Sequence, residues 1–311
     1  MSGPVLSVVV PVFNEEDALP ELHERLRKCL PEGSEVVYVD DGSIDDSASL
    51  LEAWARSEPG VVLVSLSRNF GMEVAMSAGL EHSRGEHVVL MHADLQDPPE
   101  LIPQMLELAR GGADVVYARR IGRDESALKR ALATGFYRMM EHLARVPYQG
   151  QAGDFRLMSR RVVDTVRKMP ERRRFLRGMV AWVGFDQVPI EYRRAGRATG
   201  RGASYPELFR LAMEAITSFS DVPLSLATYL GTFTAFASGI AAFVILVLSL
   251  TGVLSTSTVT WVLFAVLFLG GLQLLSAGIL GRYLARVHEE ALHRPLFVVE
   301  RVVSADSPPD A

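Results

Sequence analysis

The chain has 311 residues, of which 49% are hydrophobic and 22% are charged, and its formal net charge at pH 7 is −5. A 60-residue run, 222–281, contains no Asp, Glu, Lys or Arg. One membrane crossing needs about 20 apolar residues, so the run has room for two crossings and argues against a purely soluble protein. The only cysteine is Cys29, which excludes a disulfide framework and a zinc site built from cysteines.

Charge is distributed unevenly along the rest of the chain. Residues 1–118 carry 21 acidic and 7 basic side chains, whereas residues 119–221 carry 11 acidic and 21 basic ones. An acidic part followed by a basic part indicates two different ligands, unless it is only scatter on a solvated surface. Nucleic acid is a poor fit because the first part is acidic and the basic part lacks interleaved aromatic residues.

Short Val-rich runs alternate with helical patterns in residues 1–118. This alternation predicts a mostly parallel sheet with helices on both faces. Ligands bind such sheets beyond the carboxyl ends of the strands. The predicted strands are Leu6–Val10, Glu35–Val39, Val61–Leu66, His87–Met91 and Asp114–Tyr117, and the predicted helices are Ala18–Leu30, Asp45–Arg56, Met72–His82 and Pro98–Arg110.

Two amphipathic helices are predicted between the sheet and the uncharged run. Residues 125–146 place apolar side chains on one stripe and basic side chains off it, which suits a helix in a membrane interface or a helix packed on a core. A second such helix begins near Ser204, where Glu207 completes a capping box. After the run, residues 282–311 are expected to form a C-terminal tail that is disordered over 304–311.

The uncharged run divides at a polar turn, 252–258, into predicted crossings at about 228–250 and 260–280. Arg210 precedes the pair and four arginines follow it, whereas the turn contains no Lys or Arg. Positive charge marks the cytoplasmic side of a membrane protein. We therefore expect a multi-pass protein of the inner (plasma) membrane with both termini in the cytoplasm. Small residues in the run allow close helix packing and a homo-oligomer.

The first acidic motif, Asp40-Asp41-Gly42-Ser43, follows a predicted strand. Carboxylates at this position can hydrogen-bond a base or a ribose, and Gly42 allows a tight turn. The same residue types also form turns and cap helices. The motif alone therefore leaves a nucleotide site and a structural turn equally open.

The second acidic motif runs from His92 to Pro99 after the strand that ends at Met91. An exposed carboxylate at Asp94, with the amide oxygen of Gln96 two residues on, suits a hard divalent cation that a diphosphate also holds. Asp97 directly precedes two prolines and is expected to cap the next helix. The motif therefore predicts a divalent-cation site at Asp94.

Arginines are numerous in the basic part of the chain, and guanidinium groups bind phosphates bidentately. Any single one can be a solvated residue or a contact to a lipid headgroup, but as a group they precede a predicted membrane anchor, which favours phosphate recognition. The group consists of Arg119, Arg120, Arg123, Arg172, Arg173, Arg174, Arg177, Arg193, Arg194, Arg197 and Arg201.

Five motifs, in this order along the chain, resemble those of family 2 glycosyltransferases. They are Val-Val-Pro-Val-Phe-Asn-Glu-Glu (9–16), Val-Asp-Asp-Gly-Ser (39–43), Ser-Arg-Asn-Phe-Gly (67–71), Ala-Asp-Leu-Gln-Asp-Pro-Pro-Glu (93–100) and Gly-Asp-Phe-Arg-Leu-Met (153–158). The resemblance covers nearly the whole chain. It is most similar to polyprenyl-phosphate glycosyltransferases related to dolichol-phosphate mannose synthase, in the subgroup with two C-terminal transmembrane helices.

The resemblance implies a GT-A type fold, which is an α/β domain that binds a nucleotide sugar, followed by interfacial helices and a two-helix transmembrane hairpin. It implies Mg²⁺ or Mn²⁺ as cofactor, a UDP-sugar as donor and a polyprenyl phosphate as acceptor. The implied parts are 1–118 for the nucleotide sugar and the metal, 119–221 for the acceptor, 222–281 for the two crossings and 282–311 for a cytoplasmic tail.

The resemblance also implies roles for individual side chains in a transfer reaction. Asp94 and Asp154 are the implied catalytic residues, with Asp154 at the reaction centre. The implied donor-binding residues are Pro11, Phe13, Glu15, Asp40, Asp41, Asp94 and Arg120, the metal ligands are Asp94 and Gln96, and the residues for the acceptor phosphate are Arg156, Arg197 and Arg201.

Three positions depart from the family pattern. The metal motif usually begins with an acid, where this chain has His92, and imidazole is a poor ligand for Mg²⁺. Met72 stands where a lysine is common, and Ala203-Ser204-Tyr205 stands where Ser-Lys-Tyr is common. One phosphate-binding cation is therefore missing, and a neighbour such as Arg201 is expected to replace it.

The predicted reaction moves one sugar from UDP to undecaprenyl phosphate with inversion. Glucose is the sugar expected first within the subgroup, and galactose, an N-acetylhexosamine, mannose and an aminoarabinose derivative stay open. A phosphate monoester is largely dianionic at pH 7 and needs little help from a general base. Two alternatives stay open. One is a processive polysaccharide synthase, although the sequence lacks the usual Gln-x-x-Arg-Trp motif. The other is a catalytically weak membrane scaffold that binds a nucleotide sugar.

Overall fold

The computed structural model describes residues 3–120, 152–172, 174–192 and 258–305, together with scattered positions between 229 and 251. The described chain divides into two units. The first holds the residues up to Tyr192 and those from Pro295 onward, and the second ends at Arg294 and contains a long helix.

The first unit is built from alternating strands and helices. Its elements are β1 (Leu6–Val12), α1 (Leu19–Cys29), β2 (Glu35–Asp40), α2 (Ser47–Ser57), β3 (Val61–Leu66), α3 (Met72–His82), β4 (His87–Leu90), a 3₁₀ turn (Pro99–Leu101), α4 (Ile102–Arg110), β5 (Val115–Arg120), β6 (Ala152–Ser159), α5 (Arg160–Lys168), α6 (Leu176–Trp182), β7 (Gln187–Tyr192) and β8 (Val299–Ser304).

The described strands form one eight-stranded sheet in the order β7-β5-β6-β4-β1-β2-β3-β8. Parallel pairing joins β1 to β2 and β4, β2 to β3, and β5 to β7. β6 is antiparallel to both β4 and β5, and β8 is antiparallel to β3. This sheet confirms the predicted α/β fold with mostly parallel strands. The five predicted strands and the first three predicted helices lie within three residues of their expected bounds, whereas the fourth helix begins at Ile102, after the 3₁₀ turn, and not at Pro98.

Helices cover both faces of the sheet, which explains why its strands are continuous apolar runs. All seven residues of β1 are buried. Val8 and Val10 belong to one apolar cluster, and Val9 belongs to the cluster on the opposite face. α3 packs so closely on the second face that a Cβ at Gly79 would lie 2.2 Å from Cγ1 of Val9. Burial on both faces is the usual state of parallel sheets.

The C-terminal segment contains a strand that the sequence analysis does not predict. Val299–Ser304 forms β8 and pairs with β3 at the edge of the sheet. Val303 is 4% exposed, and Nη1 of Arg301 lies 2.7 Å from Oε2 of Glu52. From Val299 to Val303, less exposed residues alternate with exposed ones, which fits a strand that has one covered face. Residues 306–311 lie outside the described part of the chain.

The long helix α7 (Thr258–Ala291) belongs to the second unit and contains the predicted crossing at 260–280. Its 34 residues span about 51 Å. The window Phe268–Ala285 is long and apolar enough to cross a membrane, and it is the one such candidate within the described residues. The predicted crossing at 228–250 is described only at scattered helical positions, so the hairpin stays a prediction. The predicted interfacial helices lie outside the described residues.

Candidate active site at the carboxyl edge of the sheet

The carboxyl ends of the parallel strands bring the predicted site residues to one edge. β1, β2 and β4 run in the same direction, so the loops that follow them emerge side by side. β6 runs the opposite way, with Leu90 paired to Arg156, so that its first residues reach the same edge. His92, two residues after Leu90, and Asp154, two residues before Arg156, are therefore brought together.

Hydrogen bonds fasten the loop after β1 to the loop after β2. The backbone N–H of Asn14 donates to Oγ of Ser43 (3.1 Å), and that of Glu15 donates to Oγ of Ser47 (3.0 Å). In return, the N–H of Ile44 donates to Oδ1 of Asn14 (2.9 Å). The two loops therefore form one continuous rim.

Three of the residues predicted to bind the donor lie at this rim. Pro11 is buried near the end of β1, whereas Phe13 is 44% exposed and Glu15 is half-buried. An aromatic ring with an exposed face can stack on a nucleotide base. Phe13 is therefore the one of the three that offers the largest open contact surface to a ligand.

Asp40 and Asp41 are both buried, and their carboxylates bind loop backbone. Oδ1 of Asp40 accepts the N–H of Ser43 (3.0 Å), which closes the turn. Asp41 accepts the N–H groups of Phe70 (2.7 Å) and Gly71 (2.8 Å) on its two oxygens. Burial raises the pKa of Asp41, and the two backbone donors lower it in part. Asp41 thus holds the loop that leads into α3.

Gly42 is required by the contact between this turn and the loop before α3. Its φ is +73°, and a Cβ would lie 2.8 Å from the carbonyl carbon of Arg68 and from the N of Asn69. A side chain here would therefore meet backbone atoms, which cannot move aside as a flexible side chain can.

Asp94 and Gln96, the predicted metal ligands, touch each other on the loop after β4. Nε2 of Gln96 donates to Oδ2 of Asp94 (2.5 Å), and the backbone N–H of Gln96 donates to Oδ1 (3.2 Å). Asp94 fits a hard cation, because Mg²⁺ takes one or two carboxylates together with substrate phosphates. The amide of Gln96 would have to turn over to present its oxygen. Among the described residues, no group of three or more His, Cys, Asp or Glu side chains is placed to hold a metal.

His92, which replaces the usual acid of the metal motif, faces a carboxylate. Its Nε2 lies 3.4 Å from Oδ2 of Asp154, within ion-pair range but without hydrogen-bond geometry. Burial lowers the pKa of His92, but Asp154, Asp97 and Asp94 outweigh it and raise the pKa above its ordinary value. The structure therefore gives His92 an anionic partner on β6.

Asp154 is held by a bidentate arginine. Nε of Arg177 donates to its Oδ1 (3.1 Å) and Nη2 of Arg177 donates to its Oδ2 (2.7 Å), so the pair is bidentate. The side chain of Asp154 is only 11% exposed. Burial raises the pKa of Asp154, but His92, Arg177 and Arg156 outweigh it and hold the pKa well below the usual range. Asp154 is therefore a fixed anion and a poor base.

Two further charged groups complete this cluster. Arg156 is 4% exposed, and its Nη2 donates to the carbonyl oxygen of Gly153 (2.8 Å). Glu73, in the first turn of α3, accepts the backbone N–H of Leu176 on Oε2 (3.0 Å). Burial and the charge of Asp154 raise the pKa of Glu73, and Leu176 together with the two arginines offsets this in part.

Asp97 does not cap the helix that follows it, contrary to the sequence-based expectation. The residue before the 3₁₀ turn is Pro98, and no side-chain cap bond is formed there. Instead Oδ1 of Asp97 accepts the hydroxyl of Tyr192 at the end of β7 (3.0 Å). Burial raises the pKa of Asp97, and His92 and Tyr192 lower it in part. The carboxylate thus ties the Asp94 loop to β7.

The remaining predicted residues are only partly described. Arg120 is the last residue of β5 and is paired in register with Tyr192, which places its backbone at the site edge. Arg197 and Arg201 lie outside the described residues. The sequence missed Glu73, and it included Arg177 only as one of many arginines. Neither residue belongs to a motif, so no signal in one sequence could have selected them.

Comparison with known proteins identifies the family. The profile described as glycosyl transferase family 2 matches residues 7–167. A bactoprenol glucosyl transferase of Shigella phage SfV is 40% identical over 95% of this chain and 98% of its own length. A prophage bactoprenol glucosyl transferase homolog of Escherichia coli is 40% identical over 96% of this chain and 99% of its own length. An uncharacterized glycosyltransferase of Synechocystis, sll0501, is 41% identical over 94% of both chains.

A solved structure of glucosyl-3-phosphoglycerate synthase from Mycobacterium tuberculosis, in complex with Mn²⁺, UDP and glucosyl-3-phosphoglycerate, is a more distant likeness. It aligns with 69% of this chain and 78% of its own at 20% identity and a TM-score of 0.48. The family match and the near-complete alignment with the curated relatives carry the conclusion instead. The chain belongs to glycosyl transferase family 2 and is a glycosyltransferase.

Proposed function

We propose that the protein transfers one glucose from UDP-glucose to undecaprenyl phosphate at the cytoplasmic face of a membrane, with inversion at the anomeric carbon. The observation that carries this proposal is the alignment, at 40% identity and nearly full length, with proteins named bactoprenol glucosyl transferase. An alignment that covers both chains end to end favours a common acceptor class as well as a common fold.

The carboxyl edge supplies groups that suit the donor. Phe13 offers an exposed ring for the base, and the loop after β4 offers the Asp94 carboxylate for Mg²⁺ or Mn²⁺. A divalent cation bound there would neutralise charge on the departing diphosphate. Gln96 contacts Asp94 and would join it as a ligand once its amide turned over.

Asp154 suits an electrostatic role in this reaction better than proton abstraction. Its lowered pKa makes it a weak base, and an acceptor phosphate that is already dianionic at pH 7 has no proton to lose. A fixed carboxylate can instead stabilise positive charge that develops on the sugar ring. Arg156, close by on β6, supplies positive charge toward the two phosphate groups that must approach each other.

The pairing of β8 with β3 supports a membrane hairpin. Residues before Tyr192 and residues after Pro295 belong to one sheet, so both lie on the same side of any membrane. The chain between them must then cross an even number of times. The candidate span Phe268–Ala285 therefore calls for a second crossing, for which the uncharged residues of 228–250 are the best segment.

The test is transfer of radiolabel from UDP-glucose into lipid extractable by organic solvent. Membranes that contain the full chain are given undecaprenyl phosphate and Mg²⁺, with EDTA and Asp94→Ala as controls. We expect label in the lipid that both controls abolish. If no nucleotide sugar donates label while UDP still binds, the proposed reaction is wrong and a binding scaffold is the better description.

A further inference from the structure

We propose that Arg177 is the positioning residue that fixes the Asp154 carboxylate for sugar transfer, and that Glu73 in turn fixes Arg177 by capping the helix that carries it. The inference rests on the proposed function, because it assigns roles within the same site. It adds two residues that lie in no motif and come from two helices distant in the sequence.

The first step is the pairing of Arg177 with Asp154. Both oxygens of the carboxylate accept N–H groups of one guanidinium, at 3.1 and 2.7 Å. A bidentate pair fixes the rotation of the carboxylate as well as its position. His92 contributes a third contact at 3.4 Å, but without hydrogen-bond geometry. Arg177 is therefore the group that sets the orientation of Asp154.

The second step is the cost of leaving Asp154 without this partner. Its side chain is 11% exposed, so water reaches it poorly. A buried carboxylate that loses its cation becomes protonated, moves or destabilises the fold. The carboxyl of Glu73 also contributes negative charge to the same cluster. A cation opposite Asp154 is therefore needed to keep it ionised and in place.

The third step is the anchoring of Arg177 itself. Arg177 is the second residue of α6, and Phe175, which precedes this helix, makes no side-chain cap bond. The first N–H groups of a helix have no partner within the helix. Glu73 supplies such a partner from another helix, since its Oε2 accepts the N–H of Leu176 at 3.0 Å. A carboxylate from α3 thus caps α6 one residue before the arginine that holds Asp154.

The chain offers a matched control pair at the opposite edge of the sheet. Arg161 binds the buried Asp114 in the same bidentate manner. Asp114 directly precedes β5, so this pair lies where the strands begin. Arg161→Gln therefore removes an equivalent interaction without touching the carboxyl edge.

The experiment measures transfer kinetics and the chemical reactivity of Asp154 on the full chain in detergent. Variants are Arg177→Gln, Arg177→Lys, Glu73→Ala, Glu73→Gln and Arg161→Gln, and thermal melts confirm that each one folds. Carbodiimide-driven labelling of carboxyl groups, read by mass spectrometry on the peptide that contains Asp154, reports its exposure independently of activity.

We expect Arg177→Gln to lower kcat about tenfold or more while KM for the donor stays within about twofold. Asp154 in this variant should be labelled several times faster. Arg177→Lys keeps the charge but loses the bidentate geometry, so its kcat and its labelling rate should lie between those of wild type and those of Arg177→Gln. Glu73→Gln keeps an acceptor oxygen and should stay near wild type, whereas Glu73→Ala should lose activity. The double variant Asp154→Asn with Arg177→Gln should be no slower than Asp154→Asn alone.

Three results would overturn the inference. They are unchanged labelling of Asp154 in Arg177→Gln, faster labelling with an unchanged kcat, and an equal loss of kcat in Arg161→Gln. A wild-type chain that transfers no sugar from any donor would refute the proposed function. In that case the labelling data would still show whether Arg177 and Glu73 fix Asp154.

Discussion

Buried acids lie at both edges of the sheet, but they are paired in different ways. At the amino edge, Glu35 accepts the hydroxyl of Ser7 (2.6 Å), the backbone N–H of Arg84 (2.6 Å) and Nε of Arg84 (3.0 Å). The side chain of Glu35 is 1% exposed. This acid has a complete set of donors of its own, which is the arrangement expected of a structural contact.

At the carboxyl edge, two acids share their partners. Asp154 and Glu73 both interact with Arg177 and Arg156, and their pKa values move in opposite directions. Charges that are shared in this way can be redistributed when a charged ligand arrives, whereas a self-contained pair cannot. Groups with pKa values pushed apart by burial and by specific neighbours are typical of functional sites.

The largest expected effect at the carboxyl edge comes from removal of Asp94. Asp94→Ala should lower kcat/KM for sugar transfer by about 100-fold or more, because the leaving diphosphate loses its cation. The assay is radiolabel transfer at saturating Mg²⁺. Asp164→Ala is the matched control, since Asp164 lies on α5 and forms only loose ion pairs of 3.8 and 3.9 Å. Equal activity of Asp94→Ala and Asp164→Ala would show that Asp94 does not take part in sugar transfer.

The largest expected effect at the amino edge is on stability. Glu35→Ala leaves the hydroxyl of Ser7 and the N–H of Arg84 without their acceptor, which should lower the free energy of unfolding by about 2–3 kcal/mol. Chemical unfolding of the full chain in detergent measures this loss. The kcat of the folded fraction should be unchanged. If Glu35→Ala were as stable as wild type but had a lower kcat, the proposed difference between the two edges would be wrong.

Asp154→Asn should have the opposite effect to Glu35→Ala, with a loss of turnover and little loss of stability. It keeps the shape of the side chain and removes its charge, so turnover should fall about tenfold or more while the affinity for UDP stays nearly the same. Turnover is measured with saturating donor, and UDP affinity by calorimetry on the same preparation. Unchanged turnover would mean that Asp154 is not at the reaction centre.

The smallest effects concern the pH dependence of stability. The pKa of Asp114 lies below its ordinary 3.8, chiefly through Arg161, so its contribution is present above that pH and is lost as pH falls through the lowered pKa. The pKa of Glu73 lies above its ordinary 4.5 because of burial. Its ionised form therefore destabilises the fold as pH rises from 4.5 through the raised value.

Melting temperatures between pH 3 and pH 8 test these signs. Relative to wild type, Asp114→Asn should become less stable as pH rises through the acid range, and Glu73→Gln should become more stable as pH rises. Parallel slopes for the two variants would show that the two edges do not differ in the proposed way.

The sequence predicted the central strands well because their burial on both faces leaves a direct mark. Val61–Leu66 was assigned from its apolar run alone and is fully buried in the structure. The sequence does not predict β8, because Glu300 and Arg301 interrupt its valines and no alternation of apolar and polar residues marks it as a strand. Its role as a strand depends on the free edge of β3, which no local pattern shows.

The same limit applies to the site. The motifs at 40–43 and 92–97 lie at one edge of the sheet, as expected, since the loops after parallel strands emerge together. The expectation that Asp97 caps a helix was wrong, because its partner is Tyr192, 95 residues away in the chain. Likewise, His92 could be read only as a defect in the metal motif until β6 placed Asp154 beside it.

By itself, the sequence determined the fold class, the family and the edge at which the candidate site lies, because periodic burial and short motifs are local properties of the chain. Only the tertiary structure decided which charges meet. The pairing of Asp154 with Arg177 and the capping of α6 by Glu73 depend on an antiparallel register and on helix packing between residues up to 103 apart. The interaction between two charges depends on their distance in space, and no local sequence pattern gives that distance.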